Sequence, residues 1–580
     1  MATVPQAGPP WGSAGPLSSG PAGRDGEDAP APSPWPLPRR ALDFVSLDSG
    51  RATAAYWTGV ALIAAGFFVT RLLPCVDYPQ HLALSDVARR LADPTSSQHR
   101  LYQLNYFTYN GLFHIVVACL ARVIPVELAG RCVVAFSLVL MAAAVVALLR
   151  VLRRPVEHAA LFTTILFSFS LGWGFVNYVF ATAIAVWTLV FVAHLAARPG
   201  WRSLVLVAVL GLLCAFAHVL ATLVLCLTSS VVAIEVGWRA SAGQRGLSKR
   251  LLRTLGVALL AGLPLLVGCV YCVEVYLRQY VWDPNMYRDP TVEGSMPPLW
   301  QKVLYFGAFA SDLYRDASDQ LLMWIAIVFM AAPLLWRWAR RAKGQGDQVL
   351  REPTPPILLP LAALVTAYLA TPMVLIGTHL IFPRLGQWAM LGGVLAMPAF
   401  PERARGRARW GMLCLGALAG LNALVHCAAF SAETDDASRV IDDLPEGGAA
   451  TAVIWEPGTW AFRNGTLTHL AAYYGARKHG QWAFAFARYL SVPVRFKDGV
   501  QPAWPARGWE FDAEQYDPRC KYARAFPLVI VKAPYELGEG GEDQLRTLVF
   551  KQDAQAVRLL SHHGRYWAFD TTGLPDDGVL

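Results

Sequence analysis

Long apolar runs separated by short polar connectors fill most of the chain up to residue 430. The runs lie at 54–73, 131–151, 158–174, 175–196, 202–217, 219–236, 254–272, 320–337, 355–377, 384–400 and 411–430. Each approaches the length of about 20 apolar residues that lets a helix cross a hydrocarbon core. The pattern predicts an all-α polytopic membrane domain with about eleven transmembrane helices, within a range of about 10–13. A further run, 111–126, is short and carries His114 and Arg122. It predicts a partly buried or re-entrant helix on the outer side. After residue 430 the pattern turns mixed. Residues 450–455 and 527–533 predict buried strands, 467–489 a helix, and 556–569 a strand, a His-Gly turn and a second strand. About 150 residues is enough for one small α/β domain.

Composition agrees with the membrane reading. Of 580 residues, 55% are hydrophobic and only 16% charged, against about 25% charged in an ordinary soluble domain. That excludes a purely soluble enzyme. Residues 1–40 hold ten prolines and six glycines, which predicts a disordered tail. The expected organisation is a cytoplasmic tail over 1–53, a transmembrane domain over 54–430 with a first outer loop at 74–130, and a periplasmic α/β domain over 431–580. Orientation comes from basic clusters. Arg239, Arg245, Lys249, Arg250 and Arg253 crowd one connector, five basic residues lie in 336–352, and Arg403, Arg405, Arg407 and Arg409 follow the tenth run. Basic connectors stay on the cytoplasmic side, which places the N-terminus inside and the C-terminal domain outside. The net charge of +9 is read as this loop charge, so no nucleic-acid partner is expected. The ten cysteines sit mostly in apolar runs. No Cys/His set has zinc spacing, so no metal-ligating residues are assigned.

The chemistry-bearing stretch is the first outer loop, Pro74-Cys75-Val76-Asp77-Tyr78-Pro79-Gln80-His81. A half-apolar helix follows to about Ala92, with His81, Ser85 and Arg89 on its polar face, and is expected along the membrane surface. Asp77 with Gln80 three residues on is a capping-box pattern, and Pro suits the first turn. The same carboxylate can also accept a proton at the mouth of a cleft, with His81 one turn later to orient it. Arg384 stands where run 355–377 turns back into run 384–400. An Arg at that depth needs a partner such as phosphate, with His379 able to help, or else it snorkels to headgroups. His218 interrupts 202–236 as an outer turn or a buried polar contact. Asn177, in the GWGFVNY stretch, either lines an outer cavity or belongs to an interfacial anchor. Glu274, Asp283, Asp289 and Glu293 are candidates for a second carboxylate. His469, Tyr473, Tyr474 and the pair His562/His563 lack catalytic spacing.

An early acidic residue in a long first outer loop, an amphipathic helix, about a dozen spans and an outer C-terminal domain together resemble the C-type glycosyltransferase superfamily. The DYPQHLA stretch at 77–83 is similar to the D-x-P-x-H-L-A opening of an uncharacterised bacterial branch. GWGFVNYVFA at 172–181, FAHVLA at 216–221 and FPRLGQWAML at 382–391 also look alike. The resemblance implies inverting transfer of a sugar from a polyprenyl-phosphate donor to an envelope glycan, lipid or protein acceptor, at the outer face of a bacterial inner membrane. Such a reaction needs a carboxylate for the acceptor proton and cations for the departing phosphate. Asp77 and His81 match the catalytic role. Arg384, His379, Asn177 and His218 match substrate binding. A divalent metal stays open, because the chain has DYP where an acidic pair would stand. No nucleotide cofactor is expected, since no phosphate-cradling Gly-rich motif occurs. The rival class is a non-enzymatic transporter or lipid flippase. Ion-coupled transport leaves ionisable groups in mid-span, and here the polar residues cluster at outer ends.

Overall fold

The structure is a computed structural model and describes residues 45–244, 246–282, 294–343, 357–375, 378–489, 491–500, 508–538 and 540–574. The predicted disordered stretch 1–40 lies outside them, as do Arg245, Asp283, Asp289 and Glu293.

The fold is that of an all-α polytopic membrane protein with a small mixed-sheet region at its C-terminal end. The helices are α1 (Gly50–Gly66), α2 (Tyr78–Arg90), α3 (Leu112–Leu120), α4 (Val126–Val151), α5 (Val176–Ala197), α6 (Trp201–Ala217), α7 (Val219–Ala240) and α8 (Leu247–Trp282). They continue with α9 (Ser318–Ala342), α10 (Leu359–Ala370), α11 (Gly386–Ala396) and α12 (Glu402–Asp443), then α13 (Leu470–Lys478) and α14 (Gly541–Phe550). Among the described residues, six are long and apolar enough to cross a membrane: α4, α5, α7, α8, α9 and α12.

All eleven predicted runs contain helix, but four are shorter than the sequence suggests. Helix α1 ends at Gly66, inside run 54–73, whereas α6, at 17 residues, covers all of run 202–217. Run 355–377 yields the 12-residue α10, ended by Thr371-Pro372, where proline disfavours helix in the residue before it. Run 384–400 yields a one-turn helix at Ile381–Arg384 and the 11-residue α11, which stops before Pro398. Run 158–174 is not one span. It breaks into short turns at Ala159–Phe162, Thr163–Ile165 and Phe169–Gly172. The Thr163 and Thr164 hydroxyls donate back to the Ala160 and Leu161 carbonyls at 2.6 and 2.8 Å, an interaction that competes with a regular helix. The run at 111–126 gives the nine-residue α3, too short to cross a bilayer at about 1.5 Å per residue. Helix α1 starts where the Ser49 hydroxyl accepts from the Ala52 amide. It packs against α12 through Gly59, Gly416 and Gly420, where a Cβ on Gly420 would lie 2.3 Å from the Gly59 carbonyl oxygen. Small residues let the two backbones meet this closely.

The C-terminal strands are β2 (Ala449–Ile454), β3 (Gln481–Trp482), β5 (Leu528–Lys532), β6 (Arg558–His563) and β7 (Tyr566–Asp570), in the order β3-β2-β5-β7-β6. The pairs β2–β3 and β2–β5 are parallel, and β7 runs antiparallel to both β5 and β6. The two predicted buried strands and the His-Gly hairpin are therefore present. The predicted helix 467–489 is not continuous. His479 takes the left-handed conformation at φ 59° and ends α13, after which β3 begins. Val453, Phe484, Trp509, Tyr522, Val529, Phe550 and Phe569 build the core on this sheet.

This region folds down onto the first loop. A second, two-stranded sheet pairs β1 (Tyr102–Leu104) antiparallel with β4 (Val494–Phe496). Helix α13 covers α2. The polar face of α2 is thus covered by protein. Every residue from Tyr78 to Val87 is buried, because the C-terminal region supplies partners for its polar side. Gln80 is the hub: its Nε2 donates to the Phe484 carbonyl at 3.0 Å, and its Oε1 accepts from Trp482 Nε1 at 2.7 Å and the Phe486 amide at 3.2 Å.

Candidate active site

Asp77 directly precedes α2. Its backbone is helical, at φ −87° and ψ −8°, and its side chain makes no capping bond. The capping-box reading is thus set aside, since a residue already in helical conformation does not aim its carboxylate back at the following amides. Instead the Gly172-Trp173-Gly174 turn holds the segment. The Val76 amide donates to the Gly172 carbonyl at 3.0 Å and the Asp77 amide to the Trp173 carbonyl at 3.1 Å. Gly174 sits at φ +81°, and a Cβ there would fall 2.3 Å from the Asp77 nitrogen. The Asp77 carboxylate turns toward the C-terminal region, where Oδ1 lies 3.2 Å from His469 Nε2.

His81 follows one turn later, and hydrogen bonding sets its tautomer. His114 Nδ1 lies 2.9 Å from the Asn110 carbonyl, which can only accept, so Nδ1 carries the proton and Nε2 the lone pair. That lone pair faces His81 Nδ1 at 3.1 Å. His81 must therefore donate from Nδ1, which leaves its own Nε2 as an acceptor. Burial pushes the His81 imidazole well below its ordinary range, and His114, His469 and His218 add to the effect. The ring is neutral near pH 7.

Asp77 and His81 open into a cavity of about 320 Å³. It is lined in addition by Asn110, Phe175, Asn177, Tyr178, His218, Thr378, His379 and Arg384 from the helical part, and by Phe486, Tyr489, Ser491 and Val492 from the C-terminal region. All six residues singled out from the sequence thus meet on one cavity, from positions 77 to 384. Glu274 does not join them and pairs with Arg278 at 2.5 Å.

Arg384 is only 7% exposed. Its guanidinium stacks 3.6 Å from the centre of the Phe175 ring. Nε donates to the Leu380 carbonyl at 3.2 Å and one terminal nitrogen to the His379 carbonyl at 3.0 Å. Leu380 stands at φ 57°, a left-handed conformation that costs a non-glycine residue about 1–2 kcal/mol. No carboxylate pairs with Arg384 among the described residues. A buried cation in that state favours an anion at the cavity. His218 ends α6 and starts α7, and its Nδ1 accepts from the Leu220 amide at 3.1 Å. In the neutral ring Nε2 then carries the proton and is a donor. Its ring packs edge-on to Tyr178 at 5.2 Å, and Tyr178 donates to the Arg384 carbonyl at 2.8 Å. Asn177 Nδ2 donates to the Asn110 carbonyl at 3.3 Å. The Oδ1 atoms of Asn110 and Asn177 are buried without a hydrogen-bond partner among the described residues, which leaves two unsatisfied acceptors in the cavity wall. The cavity therefore combines donors, Arg384 and His218, with acceptors, Asp77, His81, Asn110 and Asn177. Among the described residues no group of three or more His, Cys, Asp or Glu could hold a metal ion.

Sequence reasoning missed the C-terminal share of the cavity. Ser491 and Val492 reach it because β1–β4 pairing and the Asn105 amide, which donates to the Pro493 carbonyl at 2.7 Å, tie that segment to the first loop. The one available signal was His469, which was noted without a partner in sequence.

No protein-family model matches the chain, and no curated protein matches it. Two solved structures are similar. One is ArnT from Cupriavidus metallidurans bound to undecaprenyl phosphate, at a TM-score of 0.48 and 10% identity, covering 90% of this chain and 98% of that one. The other is the same protein in the apo state, at a TM-score of 0.41 and 13% identity with the same coverage. At these scores no residue of one chain is matched to a residue of the other.

Proposed function

We propose that this protein is a membrane glycosyltransferase that moves a sugar from a polyprenyl-phosphate donor to an acceptor at the outer face of a bacterial inner membrane. The observation that carries the reading is the pairing, on one cavity, of a buried guanidinium without a carboxylate partner and a carboxylate that caps nothing. Arg384 and the His218 Nε2–H bind the donor phosphate. Asn110 and Asn177 accept hydrogen bonds from the sugar, beside His379 at the rim. The acceptor hydroxyl or amide attacks the anomeric carbon from the face opposite the phosphate. As that bond forms, the carbon–oxygen bond to phosphate breaks and its electron pair leaves with the phosphate. Asp77 takes the acceptor proton while His81 Nε2 orients the attacking group. Attack from the opposite face inverts the anomeric centre. The scheme calls on no nucleotide.

The test is to incubate purified full-length protein in lipid nanodiscs with a panel of polyprenyl-phosphate sugars and follow release of the polyprenyl phosphate. Asp77→Asn should lower turnover by about 100-fold or more while leaving undecaprenyl phosphate binding unchanged. Full activity in Asp77→Asn would refute the catalytic role. Binding and transbilayer movement of the lipid without sugar release would favour a flippase. A chelator arm decides whether a divalent ion takes part.

A further inference from the structure

The proposed reaction uses Asp77 and leaves its neighbour unexplained. His469 lies between two carboxylates, with Nε2 3.2 Å from Asp77 Oδ1 and Nδ1 2.6 Å from Glu510 Oε1. All three are sparingly exposed: the side chains of His469, Glu510 and Asp77 at 5%, 9% and 18%. A neutral imidazole has one N–H and one lone pair, and a lone pair facing a carboxylate is repulsive. Both contacts are favourable only to the doubly protonated ring. Against the nearer 2.6 Å contact with Glu510, the same Nδ1 also faces, at 3.3 Å, a donor that on its own favours a lone pair there, the Nε2 of Gln80. Its Oε1 is committed to Trp482 and Phe486, and its Nε2 donates to Phe484. His81, neutral, on α2 and the Phe486 ring, edge-on at 5.3 Å, are also neighbours, while Arg384 acts on Asp77 and Tyr522 faces Glu510. Burial works against the cation, but Glu510 and then Asp77 override it and hold the imidazole at about 10.

We propose that His469, doubly protonated between Glu510 and Asp77, is the positioning residue of the transfer reaction, so that the C-terminal region completes the catalytic centre. This rests on the reading that Asp77 acts in transfer. One carboxylate oxygen of Asp77 is anchored on His469, and the other is left for the acceptor. Glu510 is not among the residues lining the cavity and acts through His469. It maintains the ring charge that the anchor needs.

The experiment combines turnover and spectroscopy on the full chain in lipid nanodiscs. Wild type, H469Q, E510Q and Asp77→Asn are compared from pH 6 to 11 with the donor panel, with undecaprenyl phosphate binding as the check of folding. H469Q should lower kcat by about 100-fold at a donor KM within about twofold of wild type. In wild type, activity that needs the cation persists through neutral pH and falls as pH rises through about 10. E510Q removes the leading cause of the raised value, so its alkaline limb should move toward neutrality. ¹⁵N-histidine spectra read the same charge without turnover. An imidazolium signal at pH 8 should be missing in H469Q and converted to the neutral form in E510Q. An E510Q protein with the wild-type pH profile and spectrum overturns the inference. So does an H469Q protein with near wild-type kcat when Asp77→Asn is inactive, an outcome that leaves the transfer reading standing. Full turnover by Asp77→Asn, or no turnover of any donor by wild type, removes both.

Discussion

Gly174→Ala isolates how the backbone aims the proposed base. The residue sits at φ +81°, and its new Cβ would fall 2.3 Å from the Asp77 nitrogen and 2.6 Å from the Tyr78 nitrogen. Two costs follow. The left-handed conformation disfavours alanine by about 1–2 kcal/mol. Overpacking against a backbone that cannot rotate away adds about 1–3 kcal/mol. The destabilisation should therefore be about 2–5 kcal/mol, relieved only if the Gly172–Gly174 turn and the start of α2 separate. Separation stretches the two hydrogen bonds from Val76 and Asp77 to that turn and shifts the carboxylate. A displacement of about 1 Å at a reacting group costs on the order of 100-fold in rate. The assay is donor turnover with thermal unfolding in the same nanodiscs. Gly200→Ala serves as control, because a Cβ there meets nothing within 4 Å. Turnover within a few-fold of wild type and an unchanged melt in Gly174→Ala would refute the claim that this turn sets the position of Asp77.

Three further outcomes are expected. Arg384→Ala should weaken donor use by about 30- to 1,000-fold, the equivalent of about 2–4 kcal/mol, with Arg384→Lys between it and wild type and acceptor preference unaltered; an unchanged donor titration would leave Arg384 as a membrane anchor. Asp86 is buried, accepts from Arg89 and Arg90, and contacts His479. Burial raises its carboxyl, but His479 and the two arginines outweigh this and hold it below the ordinary value. The stabilisation is therefore full above the unfolded value of about 3.9 and lost as pH falls through the folded one. Asp86→Asn should cost about 1–3 kcal/mol, the partners being partly exposed, and should flatten the acid dependence of the melt. A topology reporter fused after residue 580 should read extracytoplasmic, and a cytoplasmic signal would overturn the orientation taken from the basic connectors.

The parts of this molecule legible in its sequence are those written in local patterns. The apolar runs locate helices because about 20 apolar residues in a row have few other uses. The strands at 449–454 and 528–532 are short buried runs with turn signals around them. Residues 77, 81, 177, 218, 379 and 384 were legible as a set because each is a polar group at the end of an apolar run, and run ends on one side of a bundle converge. The illegible parts depend on distant pairing. Nothing near Asp77 announces that its partner is His469, or that Glu510 stands behind it. The cover on the polar face of α2, Trp482 through Phe486, is invisible from α2 itself because it lies some four hundred residues away. Helix breaks at Thr163 and Thr371 were hidden for a different reason. Hydropathy counts apolar content and ignores hydroxyls that bond back and the restriction that proline places on the preceding residue.

The strand pair Tyr102–Leu104 with Val494–Phe496 also has a consequence for biosynthesis. The chain emerges from its N-terminus, so Asp77, His81, Arg384 and the rest of the helical lining enter the bilayer while Phe486, Tyr489, Ser491 and Glu510 are still untranslated. During that interval the cavity lacks one wall, and His469 lacks Glu510 behind it. Closure of this strand pair therefore acts as a maturation step. A truncated product that stops before residue 482 would keep the helical lining and lack Phe486, Tyr489, Ser491 and Val492 from the cavity wall.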